Sequence, residues 1–359
     1  MTTVQYITDP QAWDDCLARQ VFRPFLQSWT MGEVARSLGQ TPVRLGVHDD
    51  AGRLRSLCLA TLIPARRGRH LAVAYGPVGD PLDIPVLLAE LARIGRSEGC
   101  RFVRLSPHLP RTTNAPLTHL RRAPLHLLAE EIWYLPLRTT CRWTDAQTAA
   151  SEARTSDELL AGMRKTTRNL VRRAERDGVT IEASTNPLRD LEDHFIRLHD
   201  ETRKRHGFTP YSNRFFRTQV EHFAPRGEVT VYLAHHQGEV ISASVHMHAF
   251  GETSYHHGAS SAAHSKVPSS YLLQWRAITD ALARGDDVYN FWGIAPTHQT
   301  PEGDRVLDQP KHPFAGVTTF KTGFGGSLLQ LQHCLDLPLT RGYHLTRGIE
   351  LVRKWRRGF

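Results

Sequence analysis

The stretch VTVYLAHHQGEVISASVHMHAFGETSYHHG, residues 229–258, holds three runs of strand-forming residues divided by two tight turns. β-Branched, aromatic and small residues fill Val229–His235, Val240–Phe250 and Thr253–Gly258, as they do in strands. His236-Gln237-Gly238-Glu239 supplies a hairpin turn between the first two runs, and Gly251-Glu252 a tight turn between the last two. Outward from this meander, apolar periodicity predicts helices over Ser156–Asp177, Leu188–His206 and Asn213–Phe223 before it, with a short strand at Val179–Ala183. After it come a helix over Ser269–Arg284, a buried strand at Val288–Trp292 and a helix over Phe314–Phe324 that ends in a glycine run. A strand meander with helices before it, then a helix and a buried strand, predicts a mixed α/β layer.

The first half of the chain has the same order. Val4–Ile7 reads as a strand, Trp13, Leu17 and Val21 mark a helix, and a second helix runs to Leu38 and stops at Gly39. Val43–His48, Leu57–Pro64 and Val73–Val78 read as strands, with Asp49-Asp50-Ala51-Gly52 as a hairpin turn. A strong helix, Ile84–Glu98, leads to a buried strand at Phe102–Leu105, and Trp133–Leu137 is one more strand before a linker to about residue 150. The element order repeats although the residues do not. Two domains follow, 1–149 and 150–324. The last stretch, 325–359, reads as a strand and a basic helix that return to complete the first domain.

The chain has 359 residues, 40% of them hydrophobic and 23% charged, which suits two ordinary globular domains and excludes a disordered chain. Five scattered cysteines form no CxxC pair, so neither a disulfide framework nor a zinc site is expected. The polar N-terminus has no signal-peptide core, and no apolar run reaches the ~20 residues that span a bilayer. A cytoplasmic location is expected, and a monomer. The net charge of +9 favours anionic partners: nucleic acid, phosphorylated metabolites or acidic lipid headgroups.

That charge is densest in residues 162–178, GMRKTTRNLVRRAERDG. Lys165, Arg168, Arg172 and Arg176 are three, four and four residues apart, so they share one helix face. Like charges at that spacing repel by a few tenths of a kcal/mol each. An anionic partner would relieve the repulsion and gain from counterion release. Arg353, Lys354, Arg356 and Arg357 form a second cluster, read as a solvated face.

The other dense segment is HPFAGVTTFKTGFGG, residues 312–326. Gly323, Gly325 and Gly326 would let backbone amides approach a ligand, beside the amine of Lys321. The order of a P-loop is absent, as are GxSxG and HExxH. His246, His248, His256 and His257 resemble a metal cluster, and His246 and His248 would share a strand face, but no third ligand follows at a diagnostic spacing, so no metal site is predicted.

Four ordered motifs resemble those of the FemABX peptidoglycan aminoacyltransferases. They are Phe25-Leu26-Gln27-Ser28-Trp29 with Gly32-Glu33, the run Met163–Ala174, Tyr289-Asn290-Phe291-Trp292-Gly293-Ile294, and Phe320-Lys321-Thr322-Gly323-Phe324-Gly325-Gly326. The resemblance spans about residues 22–340. It implies two GNAT-like domains in tandem. No room exists for a coiled-coil arm, because the Ser156–Asp177 helix passes almost directly into Val179.

The resemblance also implies transfer of glycine, alanine or serine from aminoacyl-tRNA to the side-chain amine of a stem peptide, with no cofactor. The acceptor would be UDP-MurNAc-pentapeptide or a lipid-linked muropeptide, the latter allowing a peripheral membrane contact. Lys321 matches the lysine that stabilises the oxyanion, and Phe320 would stack on the terminal adenosine. Arg36 falls where a basic residue contacts the muropeptide diphosphate. Arg205, in Arg205-His206-Gly207-Phe208, lies in the segment that supplies another such contact, with Tyr211 and Tyr255 as neighbours. Two other readings stay open. A coenzyme A-dependent N-acyltransferase would need a pyrophosphate loop that the chain does not display. A non-catalytic RNA-binding protein would leave Lys321 unexplained.

Overall fold

The computed structural model describes residues 3–65, 68–144, 151–206, 211–299 and 305–357. The chain divides into two units, residues 1–130 with 330–359 and residues 131–329. The first contains strands β1 (Val4–Tyr6), β2 (Thr41–His48), β3 (Leu54–Ile63), β4 (His70–Ala74), β5 (Phe102–Ser106) and β6 (Arg121–Arg122). Its helices are α1 (Pro10–Ala18), α2 (Trp29–Ser37) and α3 (Ile84–Ser97).

The second unit begins with strand β7 (Glu131–Pro136) and helices α4 (Ser156–Ala161) and α5 (Lys165–Arg176), followed by strand β8 (Thr180–Ala183). Helices α6 (Pro187–Asp190), α7 (Ile196–His206) and α8 (Asn213–Phe223) lead into the meander β9 (Val229–His236), β10 (Glu239–Ala249) and β11 (Glu252–Ser260). Helix α9 (Ser269–Arg284), strand β12 (Val288–Gly293), a small hairpin of β13 (Thr297–Gln299) and β14 (Arg305–Leu307), helix α10 (Ala315–Thr322) and strand β15 (Ser327–Gln330) complete it. The chain then returns to the first unit with β16 (Leu335–Pro338) and α11 (Gly342–Arg357).

The two sheets share one strand pattern. The first runs β1-β2-β3-β4-β5-β16-β6 and the second β8-β9-β10-β11-β12-β7-β15. In each, four strands alternate in direction and a fifth joins parallel to the fourth, β5 beside β4 and β12 beside β11. The parallel step needs a crossover, and α3 and α9 supply it. Each sheet buries one side against its helices. In the first unit Leu87, Leu88 and Leu91 of α3 meet Leu45, Val73 and Val103. In the second, Val171 and Ala174 of α5 and Leu273, Ala277 and Ile278 of α9 meet Tyr232, Tyr289 and Phe291.

Three expectations change. Strand 131–136, assigned from sequence to the first domain, pairs antiparallel with β12 of the second sheet, so the divisions fall near 130 and 329 instead of 149 and 324. The helix expected over Ser156–Asp177 is two. Thr155 caps the first, in a reciprocal bond with Glu158, and Arg164 leaves helical geometry with ψ 142° before α5 begins. The helix expected over Leu188–His206 contains one wide turn at Leu191–Phe195.

Candidate active site

The two sheets differ at the parallel step. In the first, β4 and β5 pair along all of His70–Ala74. In the second, β11 and β12 pair only over Glu252–Ser254 and Val288–Asn290, although β11 continues to Ser260. Both strands carry an irregularity where they part. Tyr255 and His257 face consecutive residues of β10, which leaves His256 as a bulge, and β12 shifts register between Asn290 and Trp292. Trp292 takes φ 68°, a costly backbone for a bulky residue, and the Asn290 side chain accepts a bond from its amide at 2.8 Å. The result is a wedge. Ring contacts cross it, His256 to Trp292 at 5.4 Å.

Lys321, on the last turn of α10, ends in this wedge. Its Nζ donates to the carbonyl of Gly293, where β12 ends, at 2.6 Å, and lies 5.7 Å from the ring centre of Tyr255 on β11. The residue is 7% exposed, and among the described residues it has no carboxylate partner. Burial therefore pulls its amine down to about 7. Burial also pushes the Tyr255 phenol up to about 12 and holds His256 down at about 3, so both are neutral. Gly258 makes room for the Tyr255 hydroxyl, because a Cβ there would lie 1.8 Å from it. One titratable amine thus stands among neutral aromatic groups, poised for a ligand that develops negative charge.

The glycine turn does a different job from the one its sequence suggests. The amides of Gly323, Phe324 and Gly325 bond back to Phe320, Lys321 and Thr322, ending the helix rather than forming a cradle for a ligand. Gly325 and Gly326, at φ 83° and 98°, press on backbone: a Cβ would fall 2.9 Å from the Gly162 carbonyl oxygen and 2.2 Å from that of Tyr134. The Gly323 carbonyl accepts from the Arg164 amide at 2.9 Å. The turn therefore docks α10 on the break between α4 and α5 and on β7, which sets where Lys321 points.

The basic helix joins the same framework. Arg164 donates to the Thr319 carbonyl at 3.3 Å and to the Thr322 hydroxyl. Arg168, read from sequence as part of an exposed stripe, is half-buried and donates to the carbonyls of Leu160, Ala161 and Met163 at 3.3, 3.1 and 3.3 Å, closing the end of α4. Lys165, Arg172 and Arg176 are exposed and have no ion-pair partner among the described residues. Phe320 is half-buried, with its ring 4.9 Å from Tyr271 and 5.4 Å from Phe324.

Tyr211 reaches the wedge through rings. It lies 5.6 Å from His257, which lies 3.9 Å from His256. Arg205 donates to the Ser260 hydroxyl at 3.1 Å, at the far end of β11; Gly207 and Phe208 of its motif lie outside the described residues. Arg36 belongs to the first unit. It is exposed and paired with Glu33, which also binds Arg44 at 2.7 Å. The other motif residues around it are scaffold: the Gln27 amide holds the Leu59 backbone and the Ala74 carbonyl. His246 and His248 bond Tyr289 and Thr230 at 2.8 and 2.7 Å. Sequence reasoning weighed His256 only within the rejected histidine cluster, and singled out neither Asn290 nor Trp292 beyond their motif. The Asn290–Gly293 run was visible as a motif, but nothing in it announces that two parallel strands part there.

Residues 161–300 match the family described as acetyltransferase (GNAT) domain. No curated protein matches the chain in sequence. Among solved structures, FemX superposes with a TM-score of 0.77 at 16% identity, covering 97% of this chain and 100% of that one. L-PGS from Bacillus licheniformis gives 0.53 at 17% identity, with 96% of each chain covered. A tandem GNAT protein from the clavulanic acid biosynthesis pathway gives 0.51 at 11%, covering 95% of this chain and 99% of that one. At these identities the likeness shows the fold: mixed α/β, two GNAT-type units in tandem, with no coiled-coil arm among the described residues. No helix among those residues is long and apolar enough to cross a membrane.

Proposed function

We propose that this chain is a FemABX-type aminoacyltransferase, which moves glycine, alanine or serine from aminoacyl-tRNA to the side-chain amine of a peptidoglycan stem peptide. The observation that carries the reading is the Lys321 amine, buried where β11 and β12 part with no carboxylate partner among the described residues, on a fold shared with FemX. The acceptor nitrogen attacks the ester carbonyl, and a tetrahedral oxyanion forms. The new C–N bond stays, the bond to the terminal ribose oxygen breaks, and that oxygen leaves with the proton that the amine gives up. An oxyanion near Lys321 raises the affinity of its amine for a proton, so charge appears on the enzyme as it appears on the substrate. One such donor is worth roughly 3–4 kcal/mol of barrier. Phe320 would stack on the terminal adenosine, with Lys165, Arg172 and Arg176 on phosphates. Arg205 would serve the muropeptide diphosphate, with Tyr211 and Tyr255 as its neighbours within the second unit.

The match to an acetyltransferase domain also favours a coenzyme A-dependent acyltransferase. Against it, the segment between β11 and α9, residues 261–268, contains no glycine to bring amides onto a pyrophosphate. The deciding experiment incubates the protein with radiolabelled glycyl-, alanyl- or seryl-tRNA and either UDP-MurNAc-pentapeptide or its lipid-linked form. Label should pass to the peptide with one of them. No transfer with any pair, together with calorimetric binding of acetyl-coenzyme A, would replace this reading by the second.

A further inference from the structure

Helix α11 is built inside out. Its polar side faces the first unit: Glu350 binds Arg104 at 2.7 and 3.0 Å, Tyr343 donates to Asp336 at 3.1 Å, and Thr346 accepts from Arg101 at 3.1 Å. Its apolar side faces outward. At about 100° per residue, Leu345, Ile349, Leu351, Val352 and Trp355 fall within an arc of about 160°. Trp355 is 82% exposed and Leu345 64%. Five of the twelve large exposed hydrophobic residues found among the described residues are on this one helix, so they form a patch and not the scatter that ordinary surfaces carry.

We propose that this outward face docks on an anionic membrane surface, with α11 lying in the plane of the headgroups. The charge around the patch selects that partner. Arg341, Arg353, Lys354 and Arg356 lie along and at both ends of the helix, and its one carboxylate, Glu350, is turned inward and consumed by Arg104. An apolar face with a tryptophan and flanking cations is what an interfacial helix presents, the side chains entering the acyl boundary and the cations meeting lipid phosphates. A nucleic acid would meet the cations but leave the leucine and valine side chains in water. A second copy, paired about a two-fold axis, would bring like charges together. The docking does not depend on the transfer reaction. Its consequence, access to a lipid-linked acceptor rather than a nucleotide-linked one, rests on the function proposed above.

The test is co-sedimentation of the full chain with extruded vesicles, and it needs no turnover. Binding is expected to vesicles of phosphatidylglycerol and phosphatidylcholine, and roughly tenfold weaker binding or less to phosphatidylcholine alone or at high salt. The double variant Val352→Glu, Trp355→Glu should lose binding while keeping its far-UV circular dichroism. Lys354→Glu, Arg356→Glu should weaken binding only to the anionic vesicles. The proposal is overturned if wild-type protein sediments with neither vesicle, or if the first variant still binds. It is also overturned if wild-type protein forms a dimer that this variant dissolves, since the face would then be a contact between copies.

Discussion

Lys321 works against the stability of its own unit. Its amine titrates near 7 in the folded chain against an ordinary 10.5, so between those values the unfolded chain binds more protons. Stability must therefore rise with pH from about 7 to about 10.5, and the full penalty is present below 7. Lys321→Met removes the penalty and leaves the Gly293 carbonyl without its donor. The net gain expected at neutral pH is on the order of 3 kcal/mol. Urea denaturation of both proteins across this range should show the variant more stable at pH 7, with the gap closing towards 10.5; a gap that widens with pH would mean the amine is not buried as described. The motif around Lys321 is plain in the sequence. Its burial is not, because a lysine on a short helix reads as solvated, and what buries it is the parting of two strands far away in the chain.

At the scale of elements, α5 shows how charge spacing can mislead. The pattern of Lys165, Arg168, Arg172 and Arg176 gives both the helix and its basic face, yet Arg168 is held on three carbonyls at the end of α4. The break that requires this is hidden, since Gly162-Met163-Arg164 keeps the apolar period running through it. The two kinds of cation separate by mutation. Arg168→Met should lower the unfolding midpoint, a loss of about 1–3 kcal/mol from hydrogen bonds to a charged group. Arg172→Ser with Arg176→Ser should leave the midpoint unchanged and weaken binding of charged tRNA. The slope of log affinity against log salt should then shrink by roughly 1.5. An unchanged slope would place the RNA elsewhere, and an undisturbed midpoint in the Arg168 variant would remove its structural role.

Across the whole molecule, the repeat of element order was legible because helix and strand periods are local properties. The borders were not. An apolar run such as Ile132–Leu135 fits either sheet equally well, and only pairing with Val288–Gly293, some 150 residues on in the chain, assigns it to the second. In the same way the chain crosses back at 330 so that β16 can join β5. The likeness of the two sheets also sharpens their difference: one parallel step is closed, and the other opens onto a lone amine. The central claim is that this amine carries charge for aminoacyl transfer. It is tested most directly by the single-turnover rate from charged tRNA to the stem-peptide acceptor in Lys321→Met, measured beside the acceptor's dissociation constant. The account predicts a rate lower by about 10²–10³ with acceptor binding retained. A rate within a few-fold of wild type, or a loss matched by an equal loss of acceptor binding, would contradict it.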